Sequence, residues 1–260
     1  MNVHVLVVDG VVKLPPEANG AVVIGGSNAT AYAAYFSAKA GVRAAIHHDC
    51  GIGRDEAGVR GLPWADQHGM AMAAVATMSA RAGDAADMLQ HGIISRANRL
   101  AAACGVNSGQ TVAEAAELLK SAPWPHAEVE APVEERAFVD GILCIGSISF
   151  ATPEDAGLVV ASGSHGGRSA APFTRSFKPR LAFFNDAGFG VDRAGAACLP
   201  ILDADGIAAA TVAADSACIG DGHSTLTQGV ISAVNETAYR LGARVGETAL
   251  KVARTVAEDA

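Results

Sequence analysis

The chain has 260 residues, of which 50% are hydrophobic and 18% charged, with 29 glycines, so it carries ample apolar material for a packed core and is not a disordered polymer. A formal net charge of -8 excludes nucleic acid or an anionic membrane surface as the main partner, because both select basic patches. The five cysteines are odd in number and scattered without a CxxC pair, so neither a disulfide framework nor a structural zinc site is expected.

In chain order, Val3 to Leu14 is β-rich, with a hairpin expected around Asp9-Gly10. No basic segment precedes it and no apolar stretch reaches the roughly 18 residues of a spanning helix, so a cytoplasmic protein is expected. Gly20 to Ile24 reads as a short buried strand, ending in Gly25-Gly26-Ser27 and followed by a helix over Ala29 to Ala40. A second strand, Val42 to Ile46, ends in His47-His48-Asp49, and a short helix is expected around Arg54 to Leu62. Met70 to Thr77 is a third strand and Leu89 to Ala103 a long helix. A Pro-rich, acidic connector, Ser121 to Pro132, then leads to a second β-rich stretch, Phe138 to Phe150, with a hairpin expected near Gly146-Ser147.

The second half of the chain repeats the first. Sliding the chain by 137 positions sets Asp186 on Asp49 and Asp192 on Asp55, and residues 22–111 then match 159–248 without a gap, with 36 identities in 90 pairs. The second copy has strands at Leu158–Ala161, Arg180–Phe184 and Ile207–Val212 and a helix over Gln228 to Leu241. The fold expected is α/β: an internal tandem duplication of a βαβαβα unit, with mainly parallel sheets covered by helices on both faces. The expected divisions are a first repeat at 1–118, a connector at 119–137 and a second repeat at 138–260.

Parallel sheets bind ligands beyond the carboxyl ends of their strands. In the second copy that rule selects three small, polar loops. The first holds Gly163, Ser164, His165, Gly166, Gly167 and Arg168; the second Asn185, Asp186, Gly188, Gly190 and Asp192; the third Asp221, His223, Ser224 and Thr225. The surroundings of Ser164 approach the nucleophile-elbow pattern G-x-S-x-G but carry Ser162 at its first glycine. An acid and a histidine follow in order, so Ser164 or an activated water is a candidate nucleophile, His165 or His223 its base, and Asp186 or Asp221 the group orienting that base. Gly166, Gly167 and Arg168 would then stabilise developing negative charge, with Ser164 as a helix cap the competing reading. Asp55 and Asp192 read as caps as well.

The second loop lacks the third glycine of a dinucleotide fingerprint, so no cofactor is expected. In the first copy His48 and Asp49 are candidate ligand contacts. Neighbouring strand residues face opposite ways, so His47 to Cys50 supply at most two converging ligands and no metal is expected, a site shared with His165 or His223 being the alternative. Ser232 and Asn235, matched by Ser95 and Asn98, are expected to share a helix face, and the Ala-rich surfaces suit a homo-oligomer. The function expected is hydrolysis of a small polar or anionic metabolite held at the strand ends between the two copies. The alternatives are a lyase or isomerase moving a proton with His and Asp, and a non-catalytic anion-binding subunit.

Overall fold

The structure is a computed structural model that describes residues 3–125, 129–130 and 136–258. Two compact units emerge. The first comprises Met1–Gly51, Gly58–Pro132 and Gly190–Asp192, and the second Ile52–Ala57, Val133–Phe189 and Arg193–Ala260.

In the first unit the strands are β1 (Val5–Val8), β2 (Val22–Asn28), β3 (Ala44–His48), β4 (Ala71–Val75) and β5 (Ile94–Ala97), and they lie side by side in chain order. The first four are parallel and β5 runs antiparallel at the edge. The helices are α1 (Ala31–Lys39), α2 (Gly61–Gln67), α3 (Ala85–His91), α4 (Arg99–Ala103) and α5 (Val112–Leu119). Val22, Ile24, Ala44, Ile46, Ala73 and Val75 pack with Met88 of α3 and Val112 and Leu119 of α5 in one buried cluster. Residues two apart share a sheet face, so the small Ala side chains let these helices approach closely.

The second unit has six strands: β6 (Arg136–Val139), β7 (Ile142–Ile145), β8 (Val159–His165), β9 (Leu181–Asn185), β10 (Ala209–Val212) and β11 (Ile231–Val234). Their spatial order is β11-β10-β9-β8-β7-β6, parallel from β7 to β10 with an antiparallel strand at each edge. Its helices are α6 (Ala170–Phe177), α7 (Cys198–Ala204), α8 (Gly222–Thr227), α9 (Glu236–Arg240) and α10 (Ala249–Glu258). Leu181 and Phe183 of β9 point into a cluster with α8 and α10, while Ala182 and Phe184 point into another with α6 and α7, so helices cover both faces. Among the described residues no helix is long and apolar enough to cross a membrane. Strand registers recur at the same offset: Val22 pairs Ala44 as Val159 pairs Leu181, and Ala73 pairs Ala97 as Ala210 pairs Val234.

Several expectations need correction. Asp9-Gly10 makes no hairpin, since β1 pairs parallel with β2. The hairpin of the second unit joins β6 to β7 through Asp140-Gly141, whose φ values of 50° and 75° suit the tight turn that an Asp-Gly pair favours, and not through Gly146-Ser147. The single long helix expected over 89–103 is instead the end of α3, the edge strand β5 and α4, and that expected over 228–241 is the edge strand β11 and α9. Glycine at 92 and 229 breaks the first helix, and β-branched isoleucine then pairs on the sheet edge. The expected helix over 54–62 is a 3₁₀ segment followed by α2.

The start of the connector folds back on the first unit: the Arg43 guanidinium donates to the Ala122 carbonyl at 2.6 Å, and the Trp124 indole donates to Gly41 O at 3.1 Å. Residues 126–128 and 131–135 of that connector lie outside the described residues. Past it, the Arg136 guanidinium holds the buried Asp155 carboxylate, which also accepts from the Thr152 amide at 2.8 Å. Burial raises the Asp155 pKa, but the Arg136 and Thr152 bonds outweigh it and leave the carboxyl below its usual range. Asp155→Ala is expected to destabilise the second unit by about 2 kcal/mol, measured by urea unfolding near neutral pH. Because the folded value is depressed, the difference from wild type should shrink as pH falls through the carboxylate range.

Candidate functional site

Most polar residues common to both repeats hold the backbone. Asp49 Oδ1 accepts from the amides of Gly51 and Thr77, and Asp186 Oδ1 accepts from those of Gly188 and Ala214, all at 2.9–3.0 Å. Each Asp therefore closes a turn after one strand and ties it to the end of the next. His48 accepts the Cys50 amide on Nδ1 and donates from Nε2 to Ala80 O, each at 3.0 Å. Asn185 makes the same pair of bonds, from the Ala187 amide to Oδ1 at 2.9 Å and from Nδ2 to Ala217 O at 3.1 Å. An amide can replace this imidazole because only one acceptor and one donor are required.

Ser27 and Ser164 follow the same rule. Their hydroxyls accept the amides of Val11 and Ile148, at 3.3 and 2.9 Å. Ser164 lies within β8 and does not cap α6, whose N-cap is Ser169. Asp84 and Asp221 are true N-caps, accepting from the amides of Asp87 and Ser224. Asn98 and Asn235 cap α4 and α9 from beyond strands β5 and β11, so Ser232 is a strand residue and shares no helix face with Asn235. Asp55 and Asp192 do not cap: both adopt left-handed backbone, and in the first unit Arg81 donates to the Asp192 carboxylate while also holding Asp87.

At the carboxyl edge of the second sheet, three loops meet on Gly163. A Cβ there would lie 2.3 Å from Asp221 N, 2.4 Å from Gly220 C and 2.6 Å from Gly146 O, so only glycine lets the ends of β7 and β8 touch the loop before α8. Gly220 donates to Gly163 O at 2.7 Å and secures that contact. The junction leaves three half-buried hydroxyls together: Ser147 Oγ lies 2.8 Å from Ser149 Oγ and 3.4 Å from Ser164 Oγ. Ser147 and Ser149 replace Gly10 and Val12 of the first repeat, so the trio belongs to the second unit alone.

The other expected residues divide between used and available groups. The amides of Gly166 and Gly167 are occupied by Asn185 O and His165 Nδ1, so neither is open to an oxyanion. Ser224 Oγ bonds the Cys218 amide and Gln228, and Thr225 Oγ1 bonds the carbonyls of Ser162 and Asp221. Gly188 and Gly190 serve left-handed backbone, with φ values of 70° and 65°. His223 and Arg168 are exposed, and neither side chain has a hydrogen-bond or ion-pair partner among the described residues. No hydrogen bond among the described residues joins Ser164 Oγ to an imidazole or a carboxylate.

Titration reinforces this division. Burial lowers His47 to about 4 and lowers His48. Burial, with Asp49 second, pushes the Cys50 thiol well up, and burial takes Cys198 up to about 12, so neither is a thiolate nucleophile. Among the described residues no group of three or more His, Cys, Asp or Glu side chains is placed to hold a metal ion. The residues missed in the sequence are Ser147 and Ser149. Their signal was their difference from Gly10 and Val12 at repeat-matched positions, in a stretch assigned to a hairpin. Comparison with known proteins brought no match to any family model, curated protein or solved structure.

Proposed function

We propose that the protein is a small-metabolite enzyme that works at the carboxyl edge of its second sheet, hydrolysing an amide or ester of a small polar or anionic compound. The observation that carries this reading is the half-buried trio Ser147, Ser149 and Ser164, built only in the second unit. Three hydroxyls donate and accept, which suits a polar substrate better than an apolar one. His223 moves the proton, because it is an exposed imidazole with no hydrogen-bond or ion-pair partner among the described residues. Arg168 attracts the anionic group of the substrate. The five cysteines, none of them in a disulfide, support a cytoplasmic protein, and the Ala-rich sequence a homo-oligomer.

The nucleophile in this reading is water, since Ser164 Oγ already receives the Ile148 amide. The same bond favours a second reading, proton transfer in a lyase or isomerase with no covalent intermediate. A panel of small amides, esters and phosphate esters, assayed with wild type, Ser164→Ala and His223→Ala, tests the assignment. His223→Ala is expected to lower turnover at least tenfold. Unchanged activity in both variants would remove the site, and a full rate in Ser164→Ala with loss in His223→Ala would favour water or proton transfer over a serine nucleophile. A chain that binds panel anions by thermal shift, but turns none over, would be the anion-binding subunit instead.

A further inference from the structure

The end of β3 in the first unit is built from two wholly buried imidazoles. His48 Nδ1 receives the Cys50 amide, which can only donate, so that nitrogen carries no proton and Nε2 carries the one donated to Ala80 O. His47 turns Nε2 to Ser37 Oγ at 3.0 Å and Nδ1 to Gly25 O at 3.4 Å. The backbone they secure is held in an unfavourable conformation: Cys50 has φ 49° and is followed by Gly51 at 73°. In the second unit the equivalent Ala187 has φ 51°, but the residues before it are Phe184 and Asn185, which do not titrate in this range. The turn after β3 thus shares its geometry with the turn after β9 but alone carries the imidazole, whereas at the second sheet edge His165 holds the Gly167 amide on Nδ1 at the end of β8.

We propose that the carboxyl end of β3 in the first unit is an acid-sensitive latch, in which protonation of His48 removes the acceptor of the Cys50 amide and frees the chain where it leaves β3, while the matching turn after β9, held by Asn185, stays closed. A proton on Nδ1 would face the Cys50 N–H, and two donors cannot bond each other. The charges facing His48 are Asp49 on its own strand end and Asp87 from α3, and both favour the proton. Arg81 already occupies both oxygens of Asp87. No charged side chain contributes at His47, which meets Ser37 of α1 and Gly25 of β2.

Burial outweighs the facing carboxylates and depresses both imidazoles below 6.5. The opened form therefore binds protons more readily than the closed one. The edge is fully stable above about pH 6.5 and weakens as pH falls towards the His47 value of about 4.

Amide hydrogen exchange of the full chain, corrected for intrinsic rates, tests this. From about pH 7 to about 4.5 the amides of 44–51 and 79–81 should lose at least tenfold more protection than those of 181–188 and 216–218. His48→Asn, which supplies the residue of the second repeat, should remove most of that extra loss, and His47→Phe with His48→Asn should remove it. Equal loss in the two units, or an undiminished extra loss in the double variant, would overturn the latch. Should either variant fail to fold, the comparison between units within the wild-type chain decides alone.

Discussion

Asn235→Ala is expected to destabilise the second unit by about 3–5 kcal/mol, read from urea unfolding, a large share of the stability of an ordinary domain. The Asn235 side chain is buried and fully engaged. Its Oδ1 accepts the Ala209 amide at 3.1 Å and the Ala238 amide at 2.8 Å, and its Nδ2 donates to Ile207 O at 2.8 Å and Leu199 O at 3.4 Å. One residue thus caps α9, bonds the start of β10 and reaches the preceding helix. Truncation strands several buried backbone groups, each costing about 1–3 kcal/mol. Asn98 makes the same set to Met72, Ala101, Met70 and Leu62, so Asn98→Ala should destabilise the first unit by a similar amount. Asn235→Asp is expected to be no milder, because an acceptor would then face the two carbonyls. A loss below about 1 kcal/mol in both alanine variants would show that the network is not a support of the fold.

Gly163→Ala is expected to cost more than about 3 kcal/mol and to abolish the proposed turnover, while Gly26→Ala at the matching place costs about 1–2 kcal/mol. The added Cβ at 163 meets backbone atoms of Asp221, Gly220 and Gly146 at 2.3–2.6 Å, and none of these is the movable end of a side chain. At Gly26 the nearest atoms, Asp9 O and Gly83 C, are 2.9 Å away, so a smaller shift suffices. The contrast matters because Gly163 brings the Ser147–Ser149 stretch against β8 and the loop before α8. A Gly163→Ala protein with wild-type stability and turnover would show that the three loops do not depend on that close approach.

The duplication, the layered α/β class and most strands were legible because identity at a fixed offset and short apolar runs are local signals. The edge strands β5 and β11 were not, because Ile94-Ser95 and Ile231-Ser232 are four-residue elements inside Ala-rich surroundings that also suit a helix. Their identity is decided by pairing with β4 and β10, which is a tertiary fact. The polar loop residues were found by their position at strand ends, but position did not reveal their partners. Asp186 and Asp221 attract notice as acids, and only coordinates show that backbone amides occupy Oδ1 of each. His48 looks like chemistry until Asn185 is seen making its two bonds. Residues that the repeats share proved to bond the backbone, and the informative positions are those where one repeat departs from the other, such as Ser147 and Ser149.

Whether the second sheet edge holds a small polar molecule is tested most directly by mapping backbone amide shifts during titration with the substrate panel. The largest shifts are expected at Ser147, Ile148, Ser164 and His223, with their loss in Ser147→Gly with Ser149→Val, which restores the residues of the first repeat. Shifts confined to the first unit, or undiminished in that double variant, would contradict a site at this edge.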